Sequence, residues 1–207
     1  MVRATSRNSR IRSKASPRIS SGSAPGSRSQ SRSSWVKAWV AIWRSKFAAG
    51  HPEFAAGLVL LDSGVLFPAS AATVFAGYLE GLRGPDFADQ VRKIVADSCL
   101  PTDTCRAHVE QTFLATPQHV RVSTFESLFP WDVHRARECA EACQVPMLYI
   151  EAAHRLADLD RLAALCPQLV TAKAVGSGHF LSLEVPEQIN PMIDRFISLY
   201  VRRPRQG

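Results

Sequence analysis

The chain has 207 residues, with 25 Lys/Arg against 18 Asp/Glu and a formal net charge of +7. That length allows one domain with a sizeable core and room for a helical insert. Eight of the basic residues and none of the acidic ones fall in residues 1–34, so the remainder carries 17 basic against 18 acidic side chains. That near-neutral part argues against a nucleic-acid partner for the folded region, and no apolar run approaches the ~20 residues needed to cross a bilayer.

The five cysteines (Cys99, Cys105, Cys139, Cys143 and Cys166) are odd in number and lack CxxC pairing. They fit reduced, mostly buried thiols of a cytoplasmic protein better than a zinc site or a disulfide framework. Residues 1–34 hold twelve serines and no aromatic residue. Such a segment buries too little apolar surface to offset its conformational entropy, so it is expected to be a disordered tail. Three meanings for it stay open: an organellar transit peptide, an RNA-phosphate binder without stacking aromatics, or a segment translated out of its proper frame.

Val36, Trp39, Val40, Trp43 and Phe47 recur at helical spacing and predict a helix over 36–49, with Gly50 after its last turn and Pro52 preventing continuation. Ala55–Asp62 then contains Gly-Leu-Val-Leu-Leu, a continuous apolar run. A strand of that kind needs cover on both faces, as in a parallel sheet flanked by helices. Asp62 closes it at the carboxyl end, where open α/β sheets place their ligands.

Helical periodicity dominates 69–131. Ala72, Phe75, Tyr78 and Leu79 make one stripe, which Gly81 and Gly84-Pro85 are expected to end. Val91, Ile94 and Val95 make a second, stopped at Leu100-Pro101. Thr102-Asp103 are candidate caps for a third helix through Val109, Phe113 and Leu114, and Thr116-Pro117 opens a fourth through Val120, Phe125 and Leu128. These helices form either a cap over a site or an insert that only packs.

A further helix is expected over Ala136–Cys143, then a buried strand Met147–Ile150, a helix Leu156–Leu165 and a strand Leu169–Val175. Gly176-Ser177-Gly178-His179-Phe180 is a loop. Ile189, Met192, Ile193, Phe196, Ile197 and Tyr200 form the best amphipathic helix in the chain. Strand and helix alternating in this order predict an α/β fold with a parallel sheet.

The stretch VGSGHFLSLEVPEQINPMIDRFI resembles the carboxyl end of the α/β-hydrolase family, whose catalytic histidine sits in such a Gly-x-Gly-His-Phe loop. FAAGHPEFAAGLVLLDS resembles the helix and strand after that family's nucleophile, VPMLYI its penultimate strand, and 69–131 its cap. The resemblance runs from Lys46 to Val201. It implies hydrolysis of an ester or another small acyl substrate by a Ser-His-acid relay, without cofactor or metal. His179 would be the general base. The acid has two candidates: first Asp62, matching members that carry it after the strand following the nucleophile helix, and second Asp158. A strand-end aspartate that only bonds nearby backbone remains the alternative for Asp62, and His154 reads as a surface residue.

The nucleophile departs from the pattern. The family's Gly-x-Ser-x-Gly elbow should fall at about Val36–Val40, where the chain reads Val-Lys-Ala-Trp-Val and Ala38 stands in place of serine. Tryptophan has the single codon TGG and valine codons begin GT. Read two bases on, Trp35-Val36 and Trp39-Val40 each become glycine, while Lys37-Ala38 becomes Ser or Gly. The displaced frame is compatible with Gly-Gln-Ser-Leu-Gly-Gly. A frameshift near Ser45-Lys46 is therefore expected, with the earlier residues out of frame. Without the elbow and the strands that precede it in the family, the chain is expected to be a truncated hydrolase sheet with an exposed apolar edge and no serine-type turnover. A non-catalytic ligand-binding or scaffold protein on the same fold is the alternative.

Overall fold

The computed structural model describes residues 55–201. The tail over 1–34, the helix over 36–49 and the elbow position around Ala38 lie outside the described residues.

Three short strands make a parallel sheet in the order β1 (Leu58–Leu61), β2 (Met147–Glu151), β3 (Leu169–Lys173). Leu60 stands beside Tyr149, and Tyr149 beside Thr171, so the carboxyl ends of all three strands meet at one edge. Alternate side chains point to opposite faces of a strand, and here both faces are covered. Leu58, Leu60, Met147 and Tyr149 join Ala136, Ala140, Leu159 and Leu162 on one side. Val59, Leu148 and Ile150 join Leu181, Ile189 and Phe196 on the other. Two-sided burial explains why these strands read as unbroken apolar runs. Among the described residues β1 has a single strand partner, β2.

After β1 come four helices that form an insert: α1 (Ala71–Arg83), α2 (Phe87–Ser98), α3 (Arg106–Ala115) and α4 (Gln118–Trp131). They own a separate apolar cluster built on Leu82, Val91, Ile94, Val95, Val109 and Phe125. Gly81 does not end α1, which runs on to Arg83 and stops at Gly84. Nor does Asp103 cap α3. Cys105 holds the cap position, and the amides of Thr104 and Cys105 donate instead to Glu184.

After Pro130 the chain widens into a π-turn over Asp132–Ala136 and continues as α5 (Arg137–Glu141), so the expected separate helix over 136–143 is the end of one longer helical run. Proline removes one backbone donor from the helix ladder, and π-turns are a known way of accommodating such interruptions. Past β2, α6 spans Leu159–Leu165 and begins three residues later than its apolar spacing suggests, because Asp158 caps it. The chain closes with α7 (Leu181–Glu184) and the amphipathic α8 (Pro186–Tyr200) against the second sheet face.

Candidate active site

Two loops at the carboxyl edge of the sheet bring the chemistry together. Asp62 follows β1 directly, with its amide still in the ladder, donating to Ile150 O at 2.8 Å. Its φ of 41° lies in the left-handed region, which aspartate enters more readily than most side chains. This sharp departure from strand geometry accompanies a carboxylate that is 2% exposed. Backbone strain of this sort persists only where the surroundings hold it, and here they do. Asp132 reaches across from the π-turn, its two carboxylate oxygens accepting from the amides of Leu66 (2.5 Å) and Phe67 (2.9 Å). Leu66 itself has a φ of 52°, and its carbonyl accepts from Asp158 N at 2.9 Å. Tyr149 Oη donates to Ser63 O at 2.9 Å.

Asp132 and Tyr149 carry the electrostatic mark of this packing. Burial pushes the Asp132 carboxyl above its ordinary value, with the Phe67 and Leu66 amides pulling the other way. Burial, and then the neighbouring Asp62 charge, drives the Tyr149 phenol well above the ordinary tyrosine range.

His179 arrives from the loop after β3. Its Nδ1 lies 2.9 Å from Asp62 Oδ2, with the Asp62 side chain 3% exposed and the imidazole 20%. A carboxylate only accepts, so this partner assigns the proton to Nδ1 and leaves Nε2 with a free lone pair. Asp62 Oδ1 accepts from Ala152 N at 3.3 Å. The ring edge of His179 also packs against Phe180, centroids 5.1 Å apart. The backbone of His179 is fixed by the helical insert, its amide donating to Ser98 O at the end of α2 (2.8 Å). The adjacent Gly178 amide donates to Asp103 Oδ2 at 3.0 Å. A Cβ on Gly178 would stand 2.5 Å from Ser98 O and 2.6 Å from Asp103 Oδ2, so only glycine fits between them.

A cavity of ≈ 200 Å³ opens over the pair. Asp62 and His179 form part of its wall, together with Phe67, Val74 and Phe75, Ile94 from α2, Phe113 from α3, and Phe125 and Leu128 from α4. The aromatic rings interlock, Phe67 with Phe75 at 4.8 Å and Phe75 with Phe125 at 6.0 Å between centroids. Polar groups enter at Tyr78 and Asp97, whose side chains meet at 2.7 Å, and at the exposed His154 and Arg155. Such a setting strengthens electrostatics between the few polar groups inside it, because low-dielectric walls screen poorly.

Of the two acid candidates, Asp62 is the one paired with His179. Asp158 instead accepts from Arg161 N at 3.0 Å as the cap of α6. Asp103 and Asp132 escaped the sequence reading as members of this site, since each acts on a segment 65 or more residues away in the chain. All five cysteines are buried and outside any disulfide. Among the described residues no helix is long and apolar enough to cross a membrane.

No protein-family model and no curated protein matches the sequence. Solved structures do match in fold. An enol-lactonase from Burkholderia xenovorans LB400 aligns with a TM-score of 0.63 at 15% identity, over 76% of this chain and 62% of that one. A hydrolase from Oleispira antarctica gives 0.66 at 13%, over 77% and 62%. A thermophilic esterase from Thermogutta terrifontis gives 0.60 at 18%, over 78% and 62%. The chain thus spans about 62% of the length of each of these proteins. With its parallel three-stranded sheet and flanking helices, this chain has the α/β-hydrolase fold, in part.

Proposed function

We propose that the site is the base-and-acid half of a serine-type hydrolase acting on esters or other small acyl substrates with an apolar group. The observation that carries this reading is the 2.9 Å contact between His179 Nδ1 and the buried Asp62 carboxylate, at the wall of an aromatic-lined cavity. His179 Nε2, with its lone pair free, takes the proton from a serine hydroxyl and later returns it to the leaving alcohol. Asp62 holds the imidazole in that tautomer and stabilises the imidazolium between the two steps. The α1–α4 insert acts as the cap: its phenyl rings take the apolar part of the substrate and exclude water. A small molecule, rather than a nucleic acid, is the partner this lining suits. A cytoplasmic location fits five cysteines outside any disulfide.

The serine belongs to the displaced reading frame at the Ala38 position, so the chain as written is expected to bind without turnover. Two measurements test this. The nucleotide sequence across codons 30–50 should carry a Gly-x-Ser-x-Gly elbow in the displaced frame. A frame-restored protein should then hydrolyse short p-nitrophenyl esters, and His179→Ala should abolish that activity. Restored protein that folds yet shows no His179-dependent hydrolysis of any ester overturns the reading. A second reading, a non-catalytic ligand-binding protein, is favoured by Ala38, which has no nucleophilic atom. Saturable binding of an apolar ester, with no locus encoding the elbow, would select it.

A further inference from the structure

We propose that Asp103 is a positioning residue for His179, and that the helical insert, rather than the sheet alone, sets the geometry of the His179–Asp62 pair. The proposal rests on the hydrolase reading only for the role given to His179; the placement itself is a matter of backbone contacts.

Asp103 lies in the turn between α2 and α3, is 7% exposed, and uses a single oxygen for two amides. Oδ2 accepts from Leu100 N at 2.8 Å and from Gly178 N at 3.0 Å. Oδ1 is buried with no hydrogen-bond partner among the described residues. Burying a carboxylate with one oxygen unmet costs free energy, so a turn that needed only a local acceptor would be better served by a smaller or neutral side chain. The cost is offset by charge-assisted bonds to two backbone donors, one of which immediately precedes His179.

The bond does not act alone. His179 N donates to Ser98 O, on the other side of the same turn. Beyond the histidine, Glu184 sends its carboxylate back to Thr104 N and Cys105 N, both at 2.9 Å. Carboxylates therefore cross the contact in both directions, Asp103 toward the histidine loop and Glu184 toward the turn, with His179 between them. The seat of Gly178, between Ser98 O and Asp103 Oδ2, leaves no room there for a side chain. Neither Asp103 nor Glu184 lines the cavity, so each acts through the backbone rather than on substrate.

The test uses the full chain, nitrogen-15 labelled, and needs no turnover. A proton on His179 Nδ1 bonded to a buried carboxylate resonates far downfield of the amides, and its exchange with water reports how often the pair opens. Loss of the signal in His179→Gln assigns it. In Asp103→Ala, exchange of that proton should quicken by roughly tenfold or more as the loop detaches, while the amide signals of Val59 and Leu60 keep their positions. Asp103→Asn retains an oxygen acceptor for both amides and should recover most of the protection. Unchanged exchange in a folded Asp103→Ala protein, or an Asn variant no better protected than the Ala one, overturns the proposal. If Asp103→Ala does not fold, Gly178→Ala decides: its methyl group displaces the same loop and should produce the same loss, and intact protection there also overturns the proposal. Absence of hydrolysis in a frame-restored protein would count against the hydrolase reading and leave this readout untouched.

Discussion

The Asp62 loop and the His179 loop meet at 2.9 Å but are held by different parts of the molecule. The Asp62 loop belongs to the sheet. Its turn is fixed by Asp132 from the π-turn, by Tyr149 from β2 and by the amide of Ala152 just past β2. The segment that leads to His179 meets the end of β2 at its start, where Ala174 N donates to Glu151 O and Ser177 O accepts from Ala153 N. From Gly178 onward it is held by the insert, through Ser98, Asp103 and the return contact of Glu184. Asp62 is thus held by the core, and the loop from Gly178 onward by the helices over it. Loosening either side is therefore expected to separate the pair without removing a member of it.

The largest expected break comes from Leu82→Ala. Leu82 is 0% exposed at the centre of the insert's own apolar cluster, and truncating a fully buried leucine costs about 2–5 kcal/mol. If the division holds, hydrogen exchange should quicken at the Gly178 and His179 amides well before it does at Asp62, whose amide bonds to β2. Equal acceleration on both sides would mean that insert and sheet open as one unit, and the comparison would fall. Asp132→Ala strikes the opposite side. It strands the buried amides of Leu66 and Phe67, each at about 1–3 kcal/mol, so a loss of about 2–4 kcal/mol is expected by chemical denaturation, with protection lost at those two amides and kept at Gly178.

How far the sequence foretold this arrangement depends on the range of the interaction. Runs such as Leu58–Leu61 and Met147–Ile150, and the stripe Ile189 to Tyr200, announce themselves because strand and helix periods are local. The Gly-Ser-Gly-His-Phe loop and the terminal Asp62 also stood out, as a histidine and an acid just beyond strands. Asp103 and Asp132 did not. A carboxylate ahead of an apolar stripe looks the same whether it caps its own helix or crosses the fold, and Asp103 read as the former. Asp158, two residues before an acid and three before Arg161, has the local pattern of a helix cap, in keeping with its place behind Asp62 as a candidate. The stripe through Leu128 and the one over Ala136–Cys143 read as separate helices, whereas the helical path runs from one to the other through Pro130 and the π-turn.

A finer test of the sheet side is Tyr149→Phe. It deletes one buried bond, from the phenol to Ser63 O, and leaves the ring in place. The expected loss is about 1 kcal/mol, read as a shift in denaturation midpoint with unchanged slope. The Asp62 amide should exchange faster, while His179 N, which bonds to α2, should not. Response at both would show that Tyr149 steadies the pair rather than one loop.

The smallest effect belongs to Glu184, and it carries a pH signature. Its pKa is lowered, first by the Thr104 amide and then by the Cys105 amide. The sign follows from that direction. A carboxyl that ionises more readily when folded contributes stability that is present above its unfolded value and is lost as pH falls through the folded one. Exposure to solvent keeps the contribution small, because water screens such contacts. Glu184→Gln removes the charge at every pH, so its melting temperature should lie below that of the parent at neutral pH, and the two should converge as the solution is acidified past the carboxylate range. A gap that persists at acid pH would assign the loss to the shape of the side chain, not its charge. The same comparison carried out on Asp132→Asn should run the other way. Burial raises that carboxyl first, so the parent loses stability as pH climbs from the ordinary carboxylate value through the raised one, while the Asn variant does not. Opposite pH slopes for the two variants are what a carboxylate favoured by exposed amide bonds and one disfavoured by burial require.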